Sequence, residues 1–188
     1  MRKLILSNHV SLDGFVAGPN GEMDWLYVDD ELFEYAAFLT NEADTALYGR
    51  VTFQMMDAYW PTAGDKLNAS KHDLEHSSWY KSVAKYVASS TLTSGKTNNT
   101  HFLSGNIPEK ITELKQRPGK NILIFGSPSL AHTLMQHNLI DEYWFFVNPV
   151  LVGNGIPLYK NNKTKVSLTL KEINKLACGV VALHYLKK

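Results

Sequence analysis

Gly49-Arg50-Val51-Thr52 sets a guanidinium and a hydroxyl two residues apart, directly after the apolar run Ala46-Leu47-Tyr48. At the start of a helix such a pair holds a phosphate by charge, fork geometry and free backbone N–H groups. A surface arginine beside a helix cap explains the same residues. Ser89-Ser90-Thr91 offers three hydroxyls past a second apolar run, or a plain polar loop. Gly126-Ser127-Pro128-Ser129-Leu130 follows Ile122–Phe125. Gly126 turns the backbone without a Cβ, Ser127 reads as an N-cap, and Pro128 falls at the first helical position. A strand end that feeds a helix aims N–H groups and a positive dipole end at one point, where α/β proteins bind phosphates. Asp13, in a long glycine-rich loop, and Asp30, at the head of a helical stretch, could each anchor a polar heterocycle or relay a proton. A turn residue and an N-cap are their structural alternatives. His72-Asp73-Leu74-Glu75-His76 has H-x-x-E-H spacing, so two histidines on a helix could share a metal with Glu75 as base. Little apolar face surrounds them, and a solvated polar segment is the other reading. No third ligand is indicated, and no metal is expected.

The elements that must position these groups follow from periodicity. Apolar runs at 3–10, 44–48, 83–88, 101–104, 122–125 and 141–150 read as strands. Helical spacing is expected after Asp29 or Asp30 (Leu32, Phe33, Ala36, Ala37, Thr40), after Gly49 (Phe53, Met56, Tyr59-Trp60), from Asn106 to Gln116, and after Ser127. Pro61 to about Trp79 reads as polar and irregular with room for a helical turn, and Thr93 to Thr100 as a polar loop. Residues 166–173 and 178–186 read as a closing antiparallel pair. Strands alternating with helices predict an α/β fold with a mostly parallel sheet. In such a sheet Gly49, Ser89 and Gly126 lie past strand ends that share one edge, which predicts a dinucleotide site. Gly153-Asn154-Gly155 lacks the third glycine of a Rossmann fingerprint, and Gly126-Ser-Pro-Ser129 lacks nucleophile-elbow spacing.

A chain of 188 residues with 44% hydrophobic residues suits one domain, residues 1–188, with a sizeable core. Lysine plus arginine is 19 and aspartate plus glutamate 18, and a net charge of +1 argues against nucleic acid as partner. The single cysteine, Cys178, excludes an internal disulfide. The N-terminal apolar run is too short for a signal peptide and nothing approaches a membrane span, so a cytoplasmic location is expected.

Ser11-Leu-Asp-Gly14 with Ala17, then Asp24-Trp25, Leu47-Tyr-Gly-Arg-Val-Thr52, Ile124-Phe-Gly-Ser127 and Asn148-Pro-Val-Leu-Val-Gly-Asn-Gly155 occur in that order. Over nearly the whole chain this set resembles the dihydrofolate-reductase-like proteins of the riboflavin-biosynthesis reductase type (the RibD C-terminal domain family). The resemblance implies a central, mostly parallel eight-stranded sheet flanked by helices, with an antiparallel last strand. It implies NADPH as cofactor, often a homodimer, and hydride transfer to a carbonyl or imine carbon of a small pterin-like or ribosylated pyrimidine substrate. The activity so implied is like that of a 5-amino-6-(5-phosphoribosylamino)uracil reductase. Carried over by position, Gly49, Arg50 and Thr52 would hold cofactor phosphates. Ser89 and Ser90 would lie near the adenine-ribose 2′-phosphate, and Gly126, Ser127, Ser129 and Leu130 would cradle the pyrophosphate. Val16 and Ala17 would meet the nicotinamide. Asp30 matches the acidic pterin anchor of dihydrofolate reductases, and Asp13 the Asp-Gly of the riboflavin-type motif. The family commonly has Gly-Gly where this chain has Gly126-Ser127. Two other readings stand beside a reductase: a nucleotide-binding sensor of the same fold without turnover, and a zinc hydrolase at His72 and His76.

Overall fold

The computed structural model describes residues 1–95, 99–160 and 165–188, so part of the polar segment from Thr93 to Thr100 lies outside the described residues. The first strand, β1 (Leu4–Ser11), is buried along nearly its whole length, as its unbroken apolar start requires of a strand covered on both faces. It lies between β6 (Asn121–Phe125) and β7 (Glu142–Asn148), parallel to both. On the far side of β6 the sheet continues, still parallel, through β3 (Ala43–Gly49), β4 (Ala84–Ala88) and β5 (Thr100–Leu103). Beyond β7 comes β10 (Val181–Lys187), antiparallel to it, and then the edge strand β9 (Leu168–Lys175). The order β5-β4-β3-β6-β1-β7-β10-β9 is the eight-stranded, mostly parallel sheet expected from the resemblance, with its antiparallel turn at the C-terminus.

Period-two alternation in the strands feeds two opposite faces. Leu4 and Leu6, with Ile122 and Ile124, join Ile111 and Leu114 of α4 (Ile107–Gln116) and Leu130, Leu134 and Met135 of α5 (Pro128–Gln136). Ile5 and Leu123 turn the other way, onto Leu32 and Leu39 of α1 (Asp30–Asn41). On that same side Tyr48 and Val87 bury Phe53 of α2 (Arg50–Ala63) and Tyr80 of α3 (Lys71–Ser82). Each such fully buried leucine or isoleucine stabilises the fold by about 2–3 kcal/mol relative to exposure.

Two elements differ from the sequence expectation. The stretch read as irregular up to Trp79 is mostly helix: α2 runs on through Pro61, and α3 is a full twelve-residue helix. A capping box starts α3, in which Ser70 Oγ accepts from the Asp73 N–H while the Asp73 carboxylate accepts from the Ser70 N–H. Its buried face is His76, Ser77 and Tyr80, residue types that carry no hydrophobic periodicity. The segment is therefore not the solvated one weighed above. The second difference is a two-stranded ribbon of β2 (Phe15–Ala17) and β8 (Ile156–Pro157), which closes over the sheet edge.

Candidate functional site

The C-terminal ends of the parallel strands open on a cavity of about 1200 Å³. Asn8 and His9 of β1, Phe125 and Gly126 at the end of β6, and Phe146 of β7 line its base. The heads of α2 and α5 line one wall; Phe33 of α1 with His72 and His76 of α3 line another; Val16, Ala17 and Ile156 of the ribbon reach its edge.

The two helix heads on the wall differ from the other three. Asp29 caps α1, Ser70 caps α3 and Asn106 caps α4, each by accepting a backbone N–H. Neither α2 nor α5 has a side-chain cap. Gly49 has no side chain to offer. Ser127 has φ +55, and its hydroxyl accepts from the Gly49 N–H at 2.9 Å and donates to the Phe125 carbonyl at 3.3 Å. Two consecutive left-handed residues, Gly126 and Ser127, thus turn β6 into α5. The orphan donors and positive dipole ends of α2 and α5 are left to a ligand. Arg50, at the head of α2, is the one lysine or arginine among the described residues lining the cavity.

Five buried side-chain polar atoms lack a hydrogen-bond partner among the described residues, and three of them belong to cavity residues: Asn8 Nδ2, His9 Nδ1 and His76 Nε2. A buried donor or acceptor without a partner costs about 1–3 kcal/mol, so these residues carry a stability cost beside the cavity. Burial pushes the His9 imidazole down to about 4. Burial, helped by the charge of His72, pushes His76 down to about 3. Both rings are neutral at pH 7, and His9 stacks on Phe146 with centroids 5.3 Å apart.

Every residue expected to touch the dinucleotide lines this one cavity: Val16, Ala17, Gly49, Arg50, Thr52, Ser89, Ser90, Gly126, Ser127, Ser129 and Leu130. Ser127 stands at the N-cap position but does not cap, because its hydroxyl is turned to Gly49. The two carboxylates are not brought to the same place. Asp13 is exposed and accepts from Ser11 Oγ at 2.6 Å and from the N–H groups of Val152 and Gly153 at 3.1 and 2.7 Å. The Ser11 hydroxyl, with those two N–H groups, holds its carboxyl below the usual range. It is a clamp between two loops. Asp30 is exposed on the first turn of α1, while the cap is Asp29, which accepts from the N–H groups of Leu32 and Cys178 at 2.9 and 2.8 Å. Neither Asp13 nor Asp30 lines the cavity.

His72 and His76 do line it, as two rings 5.3 Å apart, whereas Glu75 is exposed and pairs with Lys71. No group of three or more metal-binding side chains occurs among the described residues. Asn8, His9, Phe33, Trp60 and Phe146 line the cavity without having been expected there, and His76 was expected only as a possible metal ligand. One signal was available, the four-residue histidine spacing, which sets both imidazoles on one face of α3.

The fold has known counterparts. Residues 2–182 match the model of the RibD C-terminal domain. The uncharacterized protein YyaP of Bacillus subtilis (strain 168) is 36% identical over 186 residues, covering 98% of this chain and 94% of YyaP. A solved protein ascribed to riboflavin biosynthesis, from Shewanella sp. PV-4, superposes with a TM-score of 0.74 at 22% identity, covering 98% of both chains. The diaminohydroxyphosphoribosylaminopyrimidine deaminase/5-amino-6-(5-phosphoribosylamino)uracil reductase of Thermotoga maritima superposes at 0.69 and 13% identity; this chain spans 57% of its length. At such identities the two structures speak to the fold, and the family match speaks to descent: the chain belongs to the RibD C-terminal domain family.

Proposed function

We propose that this chain is an NADPH-dependent reductase that passes a hydride to a carbonyl or imine carbon of a small pterin-like or pyrimidine-type substrate, as in riboflavin biosynthesis. The observation that carries this is the pair of uncapped helix heads, α2 and α5, beside Arg50 and the Ser89-Ser90 hydroxyls on one cavity wall. Their donor set fits a dinucleotide with three phosphate groups. Arg50 neutralises phosphate charge, and the first-turn N–H groups of α2 and α5 donate to phosphate oxygens. Ser89 and Ser90 supply hydroxyl donors for the 2′-phosphate that distinguishes NADPH from NADH. Val16, Ala17 and Ile156 form an apolar edge at the reacting end. Bound NADPH would supply the hydride, and the acceptor's heteroatom would take a proton from water.

A second reading, nucleotide binding without turnover, has one observation in its favour. Asp73 is the one carboxylate among the described residues lining the cavity, and it is held by Ser70 and Tyr59. A homodimer and a cytoplasmic location complete the proposal; sedimentation at micromolar concentration tests the first. Titration with NADPH and NADH, followed by NADPH oxidation against a panel of pterins and pyrimidine ribosides, tests the main reading. Arg50→Ala is expected to raise the NADPH dissociation constant at least tenfold. A bulky residue at Gly126 is expected to do the same with the fold intact. NADPH binding without substrate-dependent oxidation favours the sensor, and no NADPH binding sinks both readings.

A further inference from the structure

Two crossovers of the fold meet on one oxygen. β3 and β6 are neighbours in the sheet, about 4.8 Å apart. The helices that follow them leave toward opposite faces, α2 to the side of Tyr48 and Val87 and α5 to the side of Leu4 and Leu6. Neighbouring strands whose helices diverge open a crevice at their C-terminal ends. The helix heads themselves stay in contact. A Cβ placed on Gly49 would lie 3.5 Å from the Ser127 Cβ and 3.8 Å from the Leu130 Cβ.

The donors at the two heads are unequal. The first turn of α2 offers the N–H groups of Arg50, Val51 and Thr52, which have no carbonyl within the helix to bond. The first turn of α5 starts with Pro128, which has no N–H. It offers only Ser129 and Leu130, since the Ala131 N–H bonds the Ser127 carbonyl at 2.9 Å. The N–H groups of the two glycines at the strand ends are spent inside the protein. Gly126 donates to the Ser7 carbonyl at 3.1 Å, and Gly49 to Ser127 Oγ at 2.9 Å.

Ser127 Oγ is the tie between the heads. It accepts from Gly49 at the head of α2, and its own hydrogen goes to the Phe125 carbonyl at the end of β6, 3.3 Å away. The hydroxyl is held from both sides, and Ser127 is buried. Two positive dipole ends repel each other, and an oxygen bonded between them offsets that repulsion. A binding site assembled from two elements works only when they are held within about 0.5 Å of the productive spacing.

We infer that Ser127 is a positioning residue: through its bond to Gly49 it holds the heads of α2 and α5 as one site for a diphosphate, one phosphate on each head, instead of two independent sites for single phosphates. The identity of the ligand, the pyrophosphate of NADPH, rests on the reductase reading. The pairing of the heads does not.

The test compares ligands that differ by one phosphate. Adenosine 2′,5′-bisphosphate and 2′-phosphoadenosine 5′-diphosphate are titrated calorimetrically into the full-length protein at one ionic strength. The diphosphate is expected to bind about tenfold more tightly. In Ser127→Gly, which keeps the left-handed backbone and removes the hydroxyl, that preference is expected to fall about fivefold. Ser127→Ala also lacks the oxygen but keeps a Cβ on the strained backbone, so it is expected to be the less stable variant and yet to show the same preference as Ser127→Gly. No preference in the unaltered protein, or a preference that Ser127→Gly leaves in place, overturns the inference. So does a loss that follows the stability of the two variants, because that is the mark of a structural role alone. Inorganic pyrophosphate against orthophosphate repeats the comparison without a nucleoside and is expected to give the same fall. Failure of NADP⁺ to bind overturns the cofactor reading, and the inorganic pair still decides the inference: equal binding of the two anions sinks it.

Discussion

Ser127 shows how one hydroxyl joins two crossovers. Its φ of +55 is a conformation that favours glycine, yet the side chain it permits links the head of α5 to the Gly49 N–H at the head of α2. Ser127→Ala keeps the backbone strain and strands that N–H, so it is expected to destabilise the fold by about 1–3 kcal/mol. Ser127→Gly loses the same bond but relieves about 1 kcal/mol of strain, so it is expected to cost less than the alanine variant. Urea denaturation of the two variants checks the order. His9 and His76 make a second residue-level prediction. Their folded values of about 4 and 3 lie below the ordinary 6.5, so the unfolded chain takes up protons first as pH falls. Their stabilising preference for the neutral ring is complete above about pH 6.5 and lost progressively toward pH 4. Between pH 7 and pH 5 the two together are expected to remove about 4 kcal/mol of stability. His72, also lowered by burial, acts in the same direction. Replacing His76 by phenylalanine should remove about half of this slope in denaturation curves recorded at the two pH values.

At the scale of elements, what the sequence discloses depends on how local the signal is. The β6–Gly126–α5 joint was legible because its apolar run, its glycine and Pro128 are adjacent in the chain. The same held for Gly49 and the head of α2. Helix α3 was not legible because its buried face is made of His76, Ser77 and Tyr80 rather than aliphatic residues. The β2–β8 ribbon was not legible because three residues pair with two across about 140 positions of sequence. The Asp13 clamp was not legible for the same reason: its partners Val152 and Gly153 are 139 and 140 residues away. Asp13→Ala is expected to speed amide hydrogen exchange at Val152 and Gly153 while leaving the sheet amides protected. Gly155 gives the ribbon a second test. A Cβ there would overlap the Ala17 carbonyl oxygen, so Gly155→Ala must push the ribbon edge away from its seat. Weaker NADPH binding with an unchanged unfolding midpoint is the expected signature.

For the molecule as a whole, unpartnered donors at two helix heads on one cavity mean that stability depends on what fills it. A ligand present at one hundred times its dissociation constant adds about 2.7 kcal/mol to the folded state. For a chain of 188 residues that is a rise in Tm of about 5–10 °C. NADPH is expected to produce it and NADH, lacking the 2′-phosphate, a smaller one at equal concentration; equal shifts would remove Ser89 and Ser90 from the recognition. The sheet order carries a consequence of another kind. β1 carries Asn8 and His9, yet its only sheet neighbours are β6 and β7, more than a hundred residues downstream. During synthesis at about 5–20 residues per second, this buried central strand leaves the ribosome roughly 5–20 s before the strands it pairs with. The nascent chain must therefore keep its own future centre from sticking elsewhere, and β3, β4 and β5, which are consecutive neighbours, are free to assemble while it waits.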